Sequence, residues 1–415
     1  MSTADPPWRT SALNLASGSN SKVIFATDEW FACADNLLTS GPPTFDPAAF
    51  CAQGKVMDGW ESRRRRLPGH DWCILRLGLP GEVLGFEVDT TYFTGNQTPR
   101  VSIEVACLDV DPDDAWMPGA VARAANGGGV QGTACTPDEV AAAAAAVAAA
   151  GEWRTALAMS PLRPGVGTDG VHWFAAAASD GSSRRVTHVR FNYFPDGGVA
   201  RLRVWGAVRV SFDSLVARGA TDLAALSSGG RGVCCSNAHY GAPRSLLQAG
   251  RGPNMGDGWE TARHPHRPAI IELDPATGLQ LSALSDWAVV RLGAVARSVD
   301  SLLIDTHHFK GNYPESALVE ALYAPAATDA EVEALCASSS SSSASGWFTL
   351  LPRTRLSADA EHRFARAGAS SGDGDGLLDS TSEGKAVSHV RISIFPDGGI
   401  MRLRVVGTAA EPLES

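Results

Sequence analysis

No stretch of this 415-residue sequence reaches the ~18 uninterrupted apolar residues of a membrane-spanning helix. Ala141–Ala150 is too short and too small-chained to count as one. The opening residues, MSTADPPWRTSALNLASGSN, lack a basic region followed by an apolar core, so no secretory leader is expected. Leu413-Glu414-Ser415 is not a peroxisomal address. Positive charge is in deficit: 35 Lys and Arg against 45 Asp and Glu leave a formal net charge of −10. That speaks against nucleic acid or an anionic membrane as partner. The one basic run, Arg63–Arg66, is short and sits inside a segment that reads as structured. The eight cysteines do not recur at matching places in the two halves. They read as intracellular thiols rather than a disulfide framework, and a cytoplasmic location is expected. No P-loop and no alternation of strands with helices is visible, which excludes a nucleotide-binding parallel sheet.

What is present is repetition. Asp58-Gly59-Trp60-Glu61 returns as Asp257-Gly258-Trp259-Glu260. Asp71-Trp72 through Arg76-Leu77-Gly78 returns as Asp286-Trp287 through Arg291-Leu292-Gly293. Asp89 to Asn96, DTTYFTGN, returns as Asp305 to Asn312, DTHHFKGN. HVRFNYFPDGGVARLRVWG (residues 188–206) returns as HVRISIFPDGGIMRLRVVG (residues 389–407). Four blocks in one order are an internal duplication. Two copies only, in a chain long enough for about two domains, make a tandem pair and not a solenoid. The expected division is residues 1–212, a small-residue linker at 213–232 ending SSGGRG, and residues 233–415.

Strand signals dominate. HVRFNYF alternates, with Val189, Phe191 and Tyr193 on one face; Pro195–Gly198 supplies turn chemistry and VARLRVW alternates again, which predicts a β-hairpin. VLGFEVDT, RVSIEVA and DSLLIDT also read as strands. Each copy carries one variable insertion that opens with a capping-box pattern, Thr136…Glu139 and Thr328…Glu331, and so starts a short helix. The poly-Ala and poly-Ser runs that follow read as surface-loop expansions. The expected class is all-β: two antiparallel jelly-roll β-sandwiches in tandem, each with a short helical insertion.

The blocks DGWE-[ST]-x-R, DW-x3-R-LG, DT-x2-F-x-GN and HVR-x3-FPDGG-x2-RLRV, each present twice, resemble the allantoicase (allantoate amidinohydrolase) family over nearly the whole chain. The FPDGG hairpin alone is less specific, since galactose-binding-like sandwiches share similar ones. The resemblance implies two jelly-roll domains and hydrolysis of allantoate to ureidoglycolate and urea in purine-nitrogen degradation. Allantoate is then the small-molecule partner, and a homo-oligomer is expected. The rival reading is a non-catalytic tandem sandwich that binds a sugar or other small polar ligand.

Cleaving allantoate replaces a C–N bond by C–O at a carbon that carries a carboxylate and two ureido groups. Water needs a base, urea needs a proton, and the carboxylate needs a cation. The repeated blocks supply Asp58, Glu61, Asp257, Glu260, Asp305 and His307 as candidate acid–base groups. Arg64, Arg263, Lys310, Asp89, Asn96 and Asn312 are candidate substrate-binding groups. Asp305 and His307 are expected to share one strand face, with His308 on the other. The copies differ. Copy two has His307-His308 and Lys310 where copy one has Thr91-Tyr92 and Thr94, and Asp257 to Asp286 spans 29 residues where Asp58 to Asp71 spans 13. The richer ionisable set places the principal site on copy two.

Blander roles stand beside these. Trp60 and Trp259 suit the core, and the alternating Arg201/Arg203 and Arg402/Arg404 suit solvated or paired strand faces. His188 and His389 suit structural positions. No metal set is assigned, although a divalent ion is left open by the pairs His264/His266 and Asp305/His307. No cysteine recurs between copies, so a covalent intermediate is not expected.

Overall fold

The computed structural model describes residues 6–10, 12–17, 21–108, 110, 114–177, 185–337, 346–367 and 376–413. The chain forms two compact units, Met1–Arg209 and Val210–Ser415.

In the first unit one strand, Trp72–Asp89, organises everything. It contains the expected strand VLGFEVDT up to Asp89 and extends it back through the repeated block that begins at Asp71-Trp72. Its first half pairs antiparallel with Val186–Phe194, from Asn192 opposite Trp72 to Val186 opposite Gly81. Its second half pairs with Arg201–Val208, from Val208 opposite Gly81 to Arg201 opposite Asp89. The two arms around FPDGG therefore pair with the two halves of a third strand and not with each other. The predicted hairpin is a corner between two faces. Alternation shows that a segment is a strand but does not say which strand it joins. Because the corner is short, it draws both ends of Trp72–Asp89 to one end of the sandwich. Asp71 N–H donates to the Pro195 carbonyl (2.9 Å) and Ala200 N–H to the Asp89 carbonyl (2.7 Å). Val189, Phe191, Tyr193, Phe86, Leu202 and Val204 fill the core between the faces, all fully buried.

The second unit repeats this plan around Asp286–Asp305, with Val387–Phe395 on one half and Arg402–Pro412 on the other. Residues 213–232, expected as a linker, are folded into this unit. Ala220–Asp222 pairs with Arg402–Pro412, and Arg231–Cys235 pairs with Asp286–Asp305. Small residues suited a linker by composition, but Gly230 and Gly293 are needed where backbones pack. A Cβ at Gly293 would lie 1.7 Å from the Ser228 carbonyl oxygen.

Both capping boxes form, Glu139 on Thr136 and Glu331 on Thr328. The poly-Ala run is not a loop. It is the helix Pro137–Ala150, which lays Ala143 and Val147 on the outer sheet face against Trp72 and Ile74. Alanine has the highest helix propensity, and its small side chain allows a close approach. The poly-Ser run lies outside the described residues.

His188 and His389 are buried at equivalent places, each sharing a hydrogen bond at Nδ1 with the preceding hydroxyl, Thr187 or Ser388. Burial, with the nearby Arg291 and Arg231 cations, lowers His389 to about 4. As pH falls from about 6.5 to about 4, the unfolded chain takes up a proton that the folded unit refuses. The second unit should therefore lose roughly 3 kcal/mol of stability across that window and little more below it. Urea midpoints measured from pH 7 to pH 4 should show a flatter dependence in His389→Gln than in the wild type.

Candidate active site

Three of the four repeated blocks meet at the end of each sandwich where the corner lies. Trp60–Glu61 pairs with Gly198–Val199, and Trp259–Glu260 with Gly399–Ile400. The second glycine of FPDGG is required by the phenylalanine of DT-x2-F. A Cβ at Gly198 or Gly399 would lie 2.0 or 1.9 Å from the ring of Phe93 or Phe309. Trp60 and Trp259 are fully buried, and each donates its indole N–H to a carbonyl, that of Asp28 or of Asn237. The echo in the sequence is thus one interlocking set of contacts made twice.

That set aims polar groups. Asn96 donates its amide to Glu61 (2.7 Å), and Asn312 donates to Glu260 (2.6 Å). Burial pushes the Glu61 carboxyl above its ordinary value against the pull of Asn96. Asp58 pairs with Arg201 and Asp257 with Arg402. Burial works to raise Asp58, but the Arg201 and Thr44 hydrogen bonds outweigh it and hold the carboxyl low. Asp58 also accepts from the backbone and hydroxyl of Thr44, whereas Asp257 accepts from Gln248. Arg201 and Arg402 are only 2% and 1% exposed, so these strand arginines are paired and not solvated. Each also donates to a loop carbonyl, Gly41 or Gly250.

The two ends then diverge. In the second unit the strand stops at Asp305, whose carboxylate accepts the backbone N–H of His307 (2.9 Å). Arg251 grips both oxygens of Asp305 (3.1 and 3.2 Å) and reaches Glu361 (3.3 Å). His307 Nδ1 lies 2.9 Å from Asp359, which also faces Lys310 at 3.9 Å. The expectation that His307 and His308 point oppositely fails. His308 takes a left-handed φ of 70°, and the two rings lie 3.9 Å apart. Period-two alternation ends with the strand. The first unit has the same turn, with Tyr92 at φ 71°, but Tyr92 stacks on Phe45 (5.4 Å) and Asp89 caps Thr91 (2.8 Å).

Arg64 and Arg263 are exposed, and among the described residues neither makes a hydrogen bond or ion pair. Within the basic run, Arg63 and Arg65 are engaged by Asp28 and Asp71. Nor do the two metal-donor pairs build up. Both Asp305 oxygens are taken by Arg251, and among the described residues no group of three or more His, Cys, Asp or Glu converges as metal donors. Arg251, Asp359, Gln248 and Thr44 lie outside the repeated blocks and were not singled out. Two spacings known from other chemistries also occur. Gly165-x-Gly167-x-x-Gly170 ends in a short 3-10 turn before a strand, not a strand-to-helix turn, and Gly368-x-Ser370-x-Gly372 lies outside the described residues.

The allantoicase repeat model matches residues 13–209 and again 221–410. The chain belongs to the allantoicase family. It is 35% identical over 393 residues to a probable allantoicase of Pseudomonas aeruginosa, covering 94% of each chain. It is 36% identical over 408 residues to one of Rhizobium meliloti, covering 98% of this chain and 97% of that one. The allantoicase structure from Saccharomyces cerevisiae superposes with a TM-score of 0.57 at 26% identity, covering 96% of this chain and 93% of that one. A second allantoicase structure gives 0.55 at 27% identity, covering 95% and 93%. The two sandwiches are the two allantoicase repeats.

Proposed function

We propose that the chain hydrolyses allantoate to ureidoglycolate and urea at the corner end of its second repeat, in the cytoplasm and as a homo-oligomer. Family membership carries the reaction. The observation that supports the second repeat is that, among the described residues, only there do a glutamate–amide pair, Glu260–Asn312, and a histidine–carboxylate pair, His307–Asp359, draw on one six-residue stretch, His307 to Asn312. Asn312 fixes one oxygen of Glu260 and so aims the carboxylate as a base for water. Asp359 orients His307 through Nδ1, leaving Nε2 to give the leaving urea nitrogen its proton. Water's oxygen then bonds the central carbon, the C–N bond breaks, and one proton passes to each side of the balance: from water to Glu260, from His307 to urea. Asp257 and Asp305 are engaged by Arg402 and Arg251 and position the loop, as Asp58 does in the first repeat. Among the described residues no helix is long and apolar enough to cross a membrane.

Purified protein should release one urea per allantoate with stoichiometric ureidoglycolate. Absence of urea above the uncatalysed background from pH 6 to 9, with and without added divalent metal, would leave the ligand-binding sandwich as the reading. Sedimentation of the same preparation reads the oligomeric state.

A further inference from the structure

The second unit holds a small cavity that the first repeat has no residues to build. It encloses about 200 Å³ and is lined by Arg267, Gly311, Tyr313, Glu315, Arg355, Leu356 and Pro396. Gly311 directly precedes Asn312, the partner of Glu260, so the cavity opens beside the proposed reacting groups. Its volume lies below the ~300–1,000 Å³ of drug-sized sites and suits a small molecule.

Its charged groups are two cations and one carboxylate. Arg267 is anchored through Nη1 to Asp397 (2.6 Å), itself fixed by the backbone N–H of His264 (2.8 Å). The Arg355 guanidinium makes no hydrogen bond or ion pair with the described residues. Glu315 gives Oε2 to Arg353 and Ser316, while its Oε1 is buried and has no hydrogen-bond partner. Glu315 lines the cavity, and its carboxylate is the acceptor there that a ligand N–H could use.

The residues missing from repeat one are these same ones. Strand register sets Arg355 opposite Ser316 and Pro161 opposite Arg100, so proline stands for Arg355 and Pro99 for Glu315. The longer span between Asp257 and Asp286 supplies the rest. It carries Arg267, folds back through a bridge between Leu273 and Gln280, and lays Gly278 against Arg355, where a Cβ would sit 3.5 Å from Nη1.

We infer that this cavity is the substrate-recognition subsite of the second repeat: Arg355 and Arg267 take the carboxylate, and the Glu315 carboxylate accepts a ureido N–H. The inference rests on the proposed function for its substrate but is tested separately from it. Ureidoacetate, which carries one carboxylate and one ureido group, is the probe. By calorimetry it should bind the wild type, and Arg355→Gln and Glu315→Gln should each weaken it about 10-fold or more. Neutral ureidoacetamide should not respond to Arg355→Gln. With allantoate, Arg355→Gln should raise KM about 10-fold while kcat stays within about two-fold, the signature of lost ground-state binding. Arg355 is exposed, so its variant should melt with the wild type. Ureidoacetate that fails to bind the wild type, or binds both variants equally well, overturns the subsite even if urea is released. Arg355-dependent binding without any urea release sinks the proposed reaction and leaves the subsite standing.

Discussion

Glu260→Gln should lower kcat/KM for urea release by at least ~10²-fold, the usual scale of lost acid–base help. The substitution is isosteric and keeps an oxygen for the Asn312 amide, so circular dichroism and melting should be unchanged. His307→Ala should match it within about ten-fold, because without the imidazole urea departs without a proton donor. The paired changes in repeat one, Glu61→Gln and Thr91→Ala, should leave the rate nearly intact. The contrast is a demanding one, since burial raises the Glu61 carboxyl, a feature often found in catalytic acids. What repeat one lacks is the set around it: threonine stands where His307 does, no arginine among the described residues clamps Asp89 as Arg251 clamps Asp305, and prolines stand in place of Arg355 and Glu315. Folded Glu260→Gln with a near-normal rate, beside an inactive Glu61→Gln, would move the site to the first repeat.

The duplication was legible because the same contacts are made twice, and physics that needs Gly against Phe, or Trp against a carbonyl, writes the same letters twice. Tyr193 and Ile394 could be placed in the core from alternation alone. Pairing could not. FPDGG has every local mark of a hairpin, yet its arms serve two halves of a strand more than a hundred residues upstream, and local pattern carries no record of that. The buried arginines were read as solvated or paired because charge is almost never fully buried unless its partners are met, and the loop carbonyls that meet Arg201 and Arg402 lie about 150 residues away. Arg251, Asp359 and Arg355 escaped for the opposite reason. They occur once, outside the repeated blocks, so comparing copies could not mark them; the 29-residue spacing was the only trace of the insertion that shapes their surroundings.

Arg402 should be the most damaging single position for stability in the second unit. Its guanidinium donates to the carbonyls of Gly250, Ser245, Met401 and Asp257 and to the Asp257 carboxylate. It thereby ties the strand after FPDGG to the loop before DGWE. Methionine would fill much of the volume but leave those acceptors without donors, and breaking a buried ion pair from one side costs about 3–5 kcal/mol. At about 2–4 °C per kcal/mol for a unit of this size, Arg402→Met should melt about 6–20 °C lower. Arg402→Lys should recover only part of the loss, because an ammonium cannot reproduce the planar fork. Arg404 is the control. It is partly exposed, lies 3.6 Å from Asp222 in a looser ion pair and donates to the carbonyls of Gln248 and Gly250, fewer bonds than Arg402 makes, so Arg404→Met should cost less. Because Asp257 and Glu260 sit on the segment that Arg402 holds, activity in Arg402→Lys should fall at temperatures well below its melting point. A variant Arg402→Met that melts within about 2 °C of the wild type would show that the loop is held by its backbone alone, and that the arginine repeated in both copies serves the chemistry and not the fold.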